Sequence, residues 1–174
     1  MTAITLVDQE PNYTYVTARI LLDNIRTEAL SYLGMQKQAT QSEMKDLYHK
    51  AFRNFLGKGV ENEILNPELL EMDIERLGKA INPERDNLFT YLGLQTLYDR
   101  YFIHDSETRY ELPQVFFMRV SMGLALREEQ REERAIEFYN LLSSFDYMSS
   151  TPTLFNSGTK HSQLSSCYLT TVPD

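Results

Sequence analysis

Apolar residues recur three and four positions apart through most of the first 148 residues of this 174-residue chain. That spacing places them along one side of an α-helix, which buries this side and leaves the other to water. It predicts a helix from Tyr13 to Leu33, and a second helix that begins at Thr40, which can form a capping box with Glu43. The chain is therefore predicted to be mainly α-helical.

Further segments extend the helical pattern, and three of them lie next to a proline, which suits the first helical turn. They are a short helix from Pro67 to Ile74, a helix after Pro83 that runs from Leu88 to Tyr101, an apolar helix from Pro113 to Leu126, and a helix over about Glu129–Met148. Because the third of these is apolar on almost every side, we expect it to be buried on most of its surface.

Two short segments near the middle of the chain predict a small β-hairpin. Phe102–His104 and Arg109–Glu111 flank the polar link Asp105–Thr108, whose composition is typical of a turn. This hairpin is the one interruption that we expect within the helical part.

A change in composition at Ser149 separates the helical part from the end of the chain. Residues Ser149–Gly158 are rich in Ser, Thr, Pro, Asn and Gly, which predicts a loop, and Gln163–Val172 has the β-favouring residues of a strand. A single strand leaves its backbone groups unpaired. We therefore expect this strand to belong to a sheet whose other strands lie outside this sequence.

The composition disfavours several classes of function. The net charge is −8, from 17 basic and 25 acidic residues, which argues against binding to nucleic acid. Cys167 is the single cysteine, so the chain can form neither an internal disulfide nor a cysteine-rich zinc site. Because no apolar stretch has membrane-spanning length and no signal peptide is recognisable, we expect a cytoplasmic protein without a membrane contact.

The side chains offer few candidates for chemistry. His49, His104 and His161 have no carboxylate or cysteine at metal-ligand spacing, so no metal site is predicted. The hydroxyl-rich stretch Ser150–Thr159 has backbone N–H groups that can hold a phosphate if they are free. Cys167 follows two serines and fits either a buried small apolar side chain or a reactive thiol, and the residues alone leave both interpretations open.

Motifs spread over essentially the whole chain point to one enzyme family. They are Pro11–Arg19, Leu112–Leu126, Ala135–Leu142, Ser150–Thr159 and Gln163–Cys167. In combination they closely resemble the N-terminal part of the large (catalytic, α) subunit of class I ribonucleotide reductase. The short core Pro-Thr-Leu-Phe-Asn within the fourth motif also occurs in class II enzymes.

The resemblance implies a fold. In this family a helical N-terminal domain packs against a ten-stranded α/β barrel that encloses the active site. Residues 1–148 are then expected to form the helical domain, without the ATP-binding cone that precedes it in many members. Residues 149–174 are expected to form the substrate-binding loop and the first barrel strand, with the rest of the barrel missing, as in one piece of a split or truncated large subunit.

The resemblance also implies roles for individual residues. Cys167 matches a redox-active cysteine that reduces the ribose 2′ position and then pairs with a second cysteine of the barrel. Thr151 and Ser166 match positions that bind the substrate, and Thr153 lies in the same loop as a further candidate. Asp174 matches the start of the site for the specificity effector.

The implied activity is the reduction of ribonucleoside diphosphates to 2′-deoxyribonucleotides by radical chemistry, with this chain inactive alone. The implied partners are a second chain with the remaining barrel, a small (β) subunit that holds the metal-based radical cofactor, a nucleoside triphosphate effector, and thioredoxin or glutaredoxin as indirect reductant. This chain itself is expected to bind no cofactor. An alternative from another class is a non-catalytic helical interaction module that retains the family's sequence.

Overall fold

The computed structural model of the protein describes Thr5, residues 10–36 and residues 38–171. Helices dominate this part, and their bounds are α1 Tyr13–Tyr32, α2 Gln41–Glu61, α3 Ile74–Ala80, α4 Tyr91–Arg100, α5 Pro113–Ala125, α6 Arg131–Ser143 and α7 Thr151–Asn156. Between them lie the 3-10 helices Pro67–Glu71 and Pro83–Leu88 and the strands β1 His104–Asp105 and β2 Thr108–Arg109. The predicted mainly α-helical class is confirmed.

The capping box predicted at the start of α2 is formed. The Glu43 backbone N–H donates to Thr40 Oγ1 at 3.3 Å, and the Thr40 backbone N–H donates to Glu43 Oε2 at 2.8 Å. Each bond satisfies an N–H group that the helix itself leaves open, and such a cap stabilises a helix by about 1 kcal/mol.

The central element of the core is α5, which is buried along nearly its whole length, as its apolar sequence predicts. It packs on α6 and also contacts α7 and the 3-10 helix Pro83–Leu88. The apolar faces of α1 and α4 meet, as do those of α2 and α3, so that the buried side chains form one continuous core. Within the described ranges, no helix is long and apolar enough to cross a bilayer.

The predicted hairpin is also formed, with strands shorter than expected. His104 pairs with Arg109 and Asp105 pairs with Thr108 in an antiparallel register. Next to the strands, the Tyr110 backbone N–H donates to the Ile103 carbonyl at 3.2 Å, and both of these side chains are buried. The hairpin is therefore anchored to the core at its open end.

The strand predicted over Gln163–Val172 is not formed. Residues 163–171 have no strand pairing and are mostly exposed, and Val172 lies outside the described residues. A strand is stable only when its N–H and C=O groups pair with a neighbour. The described sheet consists of β1 and β2 alone, so this segment has no neighbour there, and the prediction of a strand is wrong for the chain by itself.

The loop predicted over Ser149–Gly158 contains the helix α7. Pro152 lies in its first turn, where a missing N–H is not needed for the helical ladder. At its other end, the Ser157 N–H donates to the Thr153 carbonyl at 3.0 Å. The Ser- and Thr-rich composition favours a loop locally, and contacts with the rest of the protein outweigh that preference.

Other helix bounds differ from the predicted ones because polar side chains cap the backbone at positions that the apolar spacing does not indicate. The segment predicted as one helix from Pro67 to Ile74 is divided, since Asp73 Oδ1 accepts from the Arg76 N–H at 2.9 Å and so begins α3. In the same way, Thr90 caps α4, which begins at Tyr91. These side-chain caps compete with continued helix on the preceding turn.

Candidate functional site

One turn of α7 carries two hydroxyl groups, those of Thr151 and Thr153, that the sequence predicts as substrate contacts. Thr151 begins the helix and is exposed, and its Oγ1 lies 3.1 Å from the hydroxyl of Tyr101, the residue that ends α4. Thr153 is half-buried, and its Oγ1 donates to the Leu164 carbonyl at 3.4 Å. It also lies 3.3 Å from Ser150 Oγ, so Thr153 pairs with Ser150 while Thr151 pairs separately with Tyr101.

A buried arginine of α5 holds the other end of α7. Arg119 is fully buried, and its Nη1 donates to the Ser157 carbonyl at 2.6 Å and to the Phe155 carbonyl at 3.5 Å. Its Nη2 donates to the Leu154 carbonyl at 3.4 Å. The last carbonyl groups of a helix have no partners within the helix, and the positive charge also suits the negative end of the helix dipole.

Glu111 neutralises Arg119 inside the core. Arg119 Nε donates to Glu111 Oε1 at 2.7 Å and Nη2 donates to Oε2 at 3.3 Å, with both side chains 0% exposed. Glu111 Oε2 also accepts from the Ile103 N–H at 2.9 Å. Because a buried charge is tolerated only when it is paired and hydrogen-bonded, the pair ties the hairpin, α5 and α7 together.

The residues that follow α7 lie directly on the helical core. Ser157 Oγ is buried and donates to the Val120 carbonyl of α5 at 2.7 Å. The Asn66 N–H donates to the Gly158 carbonyl at 3.1 Å. Residues 157 and 158 are thus held from two sides, and α7 cannot shift along α5 without breaking these bonds.

Several backbone N–H groups around α7 are engaged within the protein. Those of Leu154, Ser157, Thr159 and Lys160 donate to backbone carbonyls at 2.8–3.1 Å. The prediction that free N–H groups of the stretch Ser150–Thr159 hold a phosphate is therefore wrong for Leu154, Ser157 and Thr159. The hydroxyl groups of the same turn remain the candidate ligands.

Ser166 and Cys167 lie in the irregular segment after α7. The Cys167 thiol is exposed, and Ser166 Oγ donates to its Sγ at 3.8 Å. In this chain by itself, Cys167 is therefore not a buried apolar side chain. Among the described residues, no hydrogen bond joins Ser166 or Cys167 to Thr151 or Thr153, but Thr153 binds the Leu164 carbonyl of the segment that leads to them.

Asp174, the predicted effector residue, lies outside the described residues. Over Thr5, 10–36 and 38–171, no group of three or more His, Cys, Asp or Glu residues is placed to hold a metal ion. The candidate site is therefore described by its hydroxyl groups and its thiol.

Sequence reasoning missed Arg119, Glu111 and Tyr101 as residues that hold the candidate site. A signal for the first was present, because Arg119 is the single charged residue in the apolar stretch Pro113–Leu126. A lone charge in a helix predicted to be buried requires a buried partner. The sequence did not reveal which carbonyl groups this arginine would meet.

A second buried ion pair lies elsewhere in the core. Arg26 Nη2 donates to Asp86 Oδ2 at 2.9 Å, and the Tyr48 hydroxyl donates to the same oxygen at 2.8 Å. Gln114 Nε2 donates to Asp86 Oδ1 at 3.0 Å. Burial raises the pKa of Asp86, and the Arg26 charge and the donors oppose that rise. This network joins α1, α2 and α5 to the 3-10 helix Pro83–Leu88.

An apolar cleft of about 490 Å³ opens beside α7, between α4 and residues 145–154. Part of its lining consists of Leu88, Leu92, Phe145, Met148 and Leu154. Leu92, Leu88 and Met148 are exposed there at 73%, 48% and 47%. Large apolar side chains that are exposed next to one another indicate a surface that a partner covers.

A family model described as "Ribonucleotide reductase, all-alpha domain" matches residues 87–162 of the chain. This match includes α4, α5, α6 and α7, and with them the hairpin and the Glu111–Arg119 pair. Its description agrees with the helical architecture of this part of the protein.

Whole-chain relatives carry a consistent name. The chain is 47% identical, over its full length and 16% of the relative, to the ribonucleoside-diphosphate reductase subunit alpha of Chlamydia muridarum. It is 38% identical to the subunit of that name from Helicobacter pylori, over 99% of the chain and 21% of the relative. The ribonucleoside-diphosphate reductase large subunit of Danio rerio is 34% identical over 99% of the chain and 20% of the relative. The chain thus spans about a fifth or less of these relatives.

Proposed function

Because the chain belongs to the ribonucleotide reductase large-subunit family and corresponds to its N-terminal region, we propose that it contributes part of the active site of a ribonucleoside-diphosphate reductase. The complete assembly converts ribonucleoside diphosphates to 2′-deoxyribonucleotides by radical chemistry. The proposal rests on one observation: α7, which carries the hydroxyl groups of Thr151 and Thr153, is bonded to the buried side chain of Arg119.

The proposed ligands of the substrate are Thr151, Thr153 and Ser166. Each hydroxyl group can donate one hydrogen bond and accept two, which suits phosphate oxygens and the ribose without adding positive charge. Thr151 is exposed, and its hydroxyl group has one hydrogen-bond partner, the Tyr101 hydroxyl. It can therefore form further hydrogen bonds with a ligand. Asp174 is proposed as a contact of the nucleoside triphosphate effector.

The proposed role of Cys167 is that of a reductant. In the net reaction two thiols lose two electrons and two protons and become a disulfide, while the 2′ oxygen of the ribonucleotide leaves as water. Since these 174 residues contain one cysteine, the second thiol lies outside them. The exposed position of Cys167 allows that approach.

We assign the rest of the active site to a second chain with the remaining barrel. The radical comes from a small subunit with a metal centre, and thioredoxin or glutaredoxin reduces the disulfide through other thiols. The apolar cleft beside α7 supports the assembly, because its exposed side chains are favourably buried against a partner. This chain binds no cofactor in the proposal, and the assembly works in the cytoplasm.

The test combines this chain with the remaining barrel, the small subunit and a dithiol reductant, and measures formation of deoxyribonucleotide. The proposal expects turnover by the assembly and none by this chain alone. Cys167→Ser should abolish repeated turnover, and Thr151→Val should raise the KM for the ribonucleoside diphosphate. If the assembly forms but no combination of components reduces a nucleotide, the chain is instead a non-catalytic helical interaction module.

A further inference from the structure

We propose that Arg119 is a positioning residue of the reductase: from its buried place on α5 it sets the position of α7, and thereby of the Thr151 and Thr153 hydroxyl groups. The inference rests on the proposed function of these two threonines as substrate ligands. The ion pair of Arg119 and Glu111 is fully buried, so Arg119 would act on the substrate through α7 and not by direct contact.

The length of α7 is the first reason. The helix has six residues, and isolated helices of this length do not persist in water. Ser150, which precedes it, makes no side-chain capping bond to its backbone. The position of α7 therefore depends on contacts with other elements, and α5 is its principal neighbour.

The pattern of bonds made by Arg119 is the second reason. Its two terminal nitrogens donate to the carbonyl groups of three residues, Leu154, Phe155 and Ser157. A planar guanidinium can satisfy a carboxylate and several carbonyl groups at fixed angles, which a lysine ammonium cannot. An arginine that served only to neutralise Glu111 would not need the bonds to the end of α7.

The two ends of α7 are held by different elements, which is the third reason. The carbonyl end is bonded to Arg119 of α5, while Thr151 at the opposite end lies 3.1 Å from the Tyr101 hydroxyl at the end of α4. Loss of the Arg119 bonds leaves the carbonyl end of α7 attached through the bonds of Ser157 and Gly158, which lie just beyond the helix. The hydroxyl groups then sample several positions, and the bound substrate has to select one of them.

The experiment uses the complete reductase assembly with the double variant Arg119→Met, Glu111→Leu, which removes both charges and so leaves neither of them unpaired in the core. Steady-state kinetics should show a KM for the ribonucleoside diphosphate that is roughly tenfold higher, with a smaller change in kcat. In hydrogen exchange, the amides of residues 154–157 should exchange about ten times faster or more, because a bond to a charged group stabilises by at least that factor.

The control is the double variant Arg26→Met, Asp86→Leu, which removes the other buried ion pair and leaves the contacts of α7 in place. It should lower the denaturation midpoint without the rise in KM and without selective exchange at residues 154–157. Equal kinetic and exchange effects in both variants would reduce Arg119 to a general stabiliser and overturn the inference.

A third variant separates this inference from the proposed function. If Thr151→Val leaves KM unchanged, the proposed ligand role of α7 is wrong and the inference falls with it. If Thr151→Val raises KM while the Arg119 and Glu111 double variant does not, the ligand role stands and the positioning role is wrong. A rise in KM in both variants, with exchange increased only in the second, is the expected result.

Discussion

Gly123 of α5 lies directly against the backbone of Gly158, just after α7. A Cβ atom on Gly123 would meet the Gly158 nitrogen far inside van der Waals contact. Gly158 has a φ of 78°, a conformation that residues with a side chain rarely adopt. The two glycines therefore let the chain pass so close to α5 that the carbonyl groups at the end of α7 reach Arg119.

Gly123→Ala should destabilise the protein because the added methyl group must displace the backbone at Gly158. Overpacking of this kind costs about 1–3 kcal/mol. Urea denaturation followed by circular dichroism measures the loss as a lower midpoint.

Gly57→Ala is the matched control for that substitution. Gly57 lies in α2, is exposed, and has open space where the Cβ would be added. Alanine is the better helix former, so this variant should gain about 0.5–1 kcal/mol. A gain for both alanine variants would contradict the close approach of α5 and the segment after α7.

Removal of the hydroxyl group should affect the stability of the protein differently at two buried tyrosines. The Tyr110 hydroxyl is buried and makes no hydrogen bond, whereas the Tyr48 hydroxyl donates to Asp86 at 2.8 Å. Tyr110→Phe removes an unpaired polar group and should be neutral or stabilise by up to about 1 kcal/mol. Tyr48→Phe removes a bond to a buried carboxylate and should destabilise by about 1.5–3 kcal/mol. Chemical denaturation measures the free energy of unfolding of the two variants. Equal losses of stability would contradict the prediction that only the Tyr48 hydroxyl stabilises the protein.

Three buried tyrosines, the two above and Tyr139, predict that the protein loses stability at alkaline pH. Burial raises the pKa of Tyr48, Tyr110 and Tyr139 above the ordinary value of 10.0. Above about pH 10 the unfolded chain releases these protons while the folded protein retains them. The free energy of unfolding should therefore decrease as the pH rises above this value and be insensitive to these groups below it.

Denaturation midpoints measured between about pH 8 and 11 test this dependence. Tyr110→Phe should have the flatter profile, because one of the groups with a raised pKa is absent. Formation of tyrosinate at these three residues in the folded protein, with no change in midpoint, would show that burial does not hold their protons.

Tyr101 should influence substrate binding through Thr151. Tyr101→Phe removes a hydroxyl group 3.1 Å from Thr151 Oγ1 near the surface, so stability should change by no more than about 0.5 kcal/mol. The KM for the ribonucleoside diphosphate should nevertheless change several-fold, by roughly the contribution of one hydrogen bond. Tyr98→Phe, in the last turn of α4 just before Tyr101, removes a bond to Glu28 and should leave KM unchanged. An unchanged KM for Tyr101→Phe would show that Tyr101 does not influence substrate binding.

The elements that could be predicted from the sequence are those whose cause is local. The face of α1, the capping box of Thr40 and the burial of α5 depend on residues a few positions apart. By contrast, Arg119 and Ser157 are 38 positions apart, and no local pattern indicates that they meet. The strand at Gln163–Val172 could not be judged from local sequence either. Residues with high β-propensity form a strand only beside another strand, and the described sheet contains β1 and β2 alone.

Cys167 should react as a fully accessible thiol when the chain is alone. It is exposed, lies in a segment without strand pairing, and has only the weak 3.8 Å contact from Ser166 Oγ. Alkylation by iodoacetamide should therefore proceed at a similar rate in the native chain and in the chain unfolded by urea, since the rate depends on access and thiolate fraction. Addition of the remaining barrel should slow alkylation of Cys167, because the proposed assembly encloses the thiol beside its redox partner. Slow labelling of the native chain alone would contradict the exposed position, and undiminished labelling in a catalytically active assembly would contradict the placement of Cys167 in its active site.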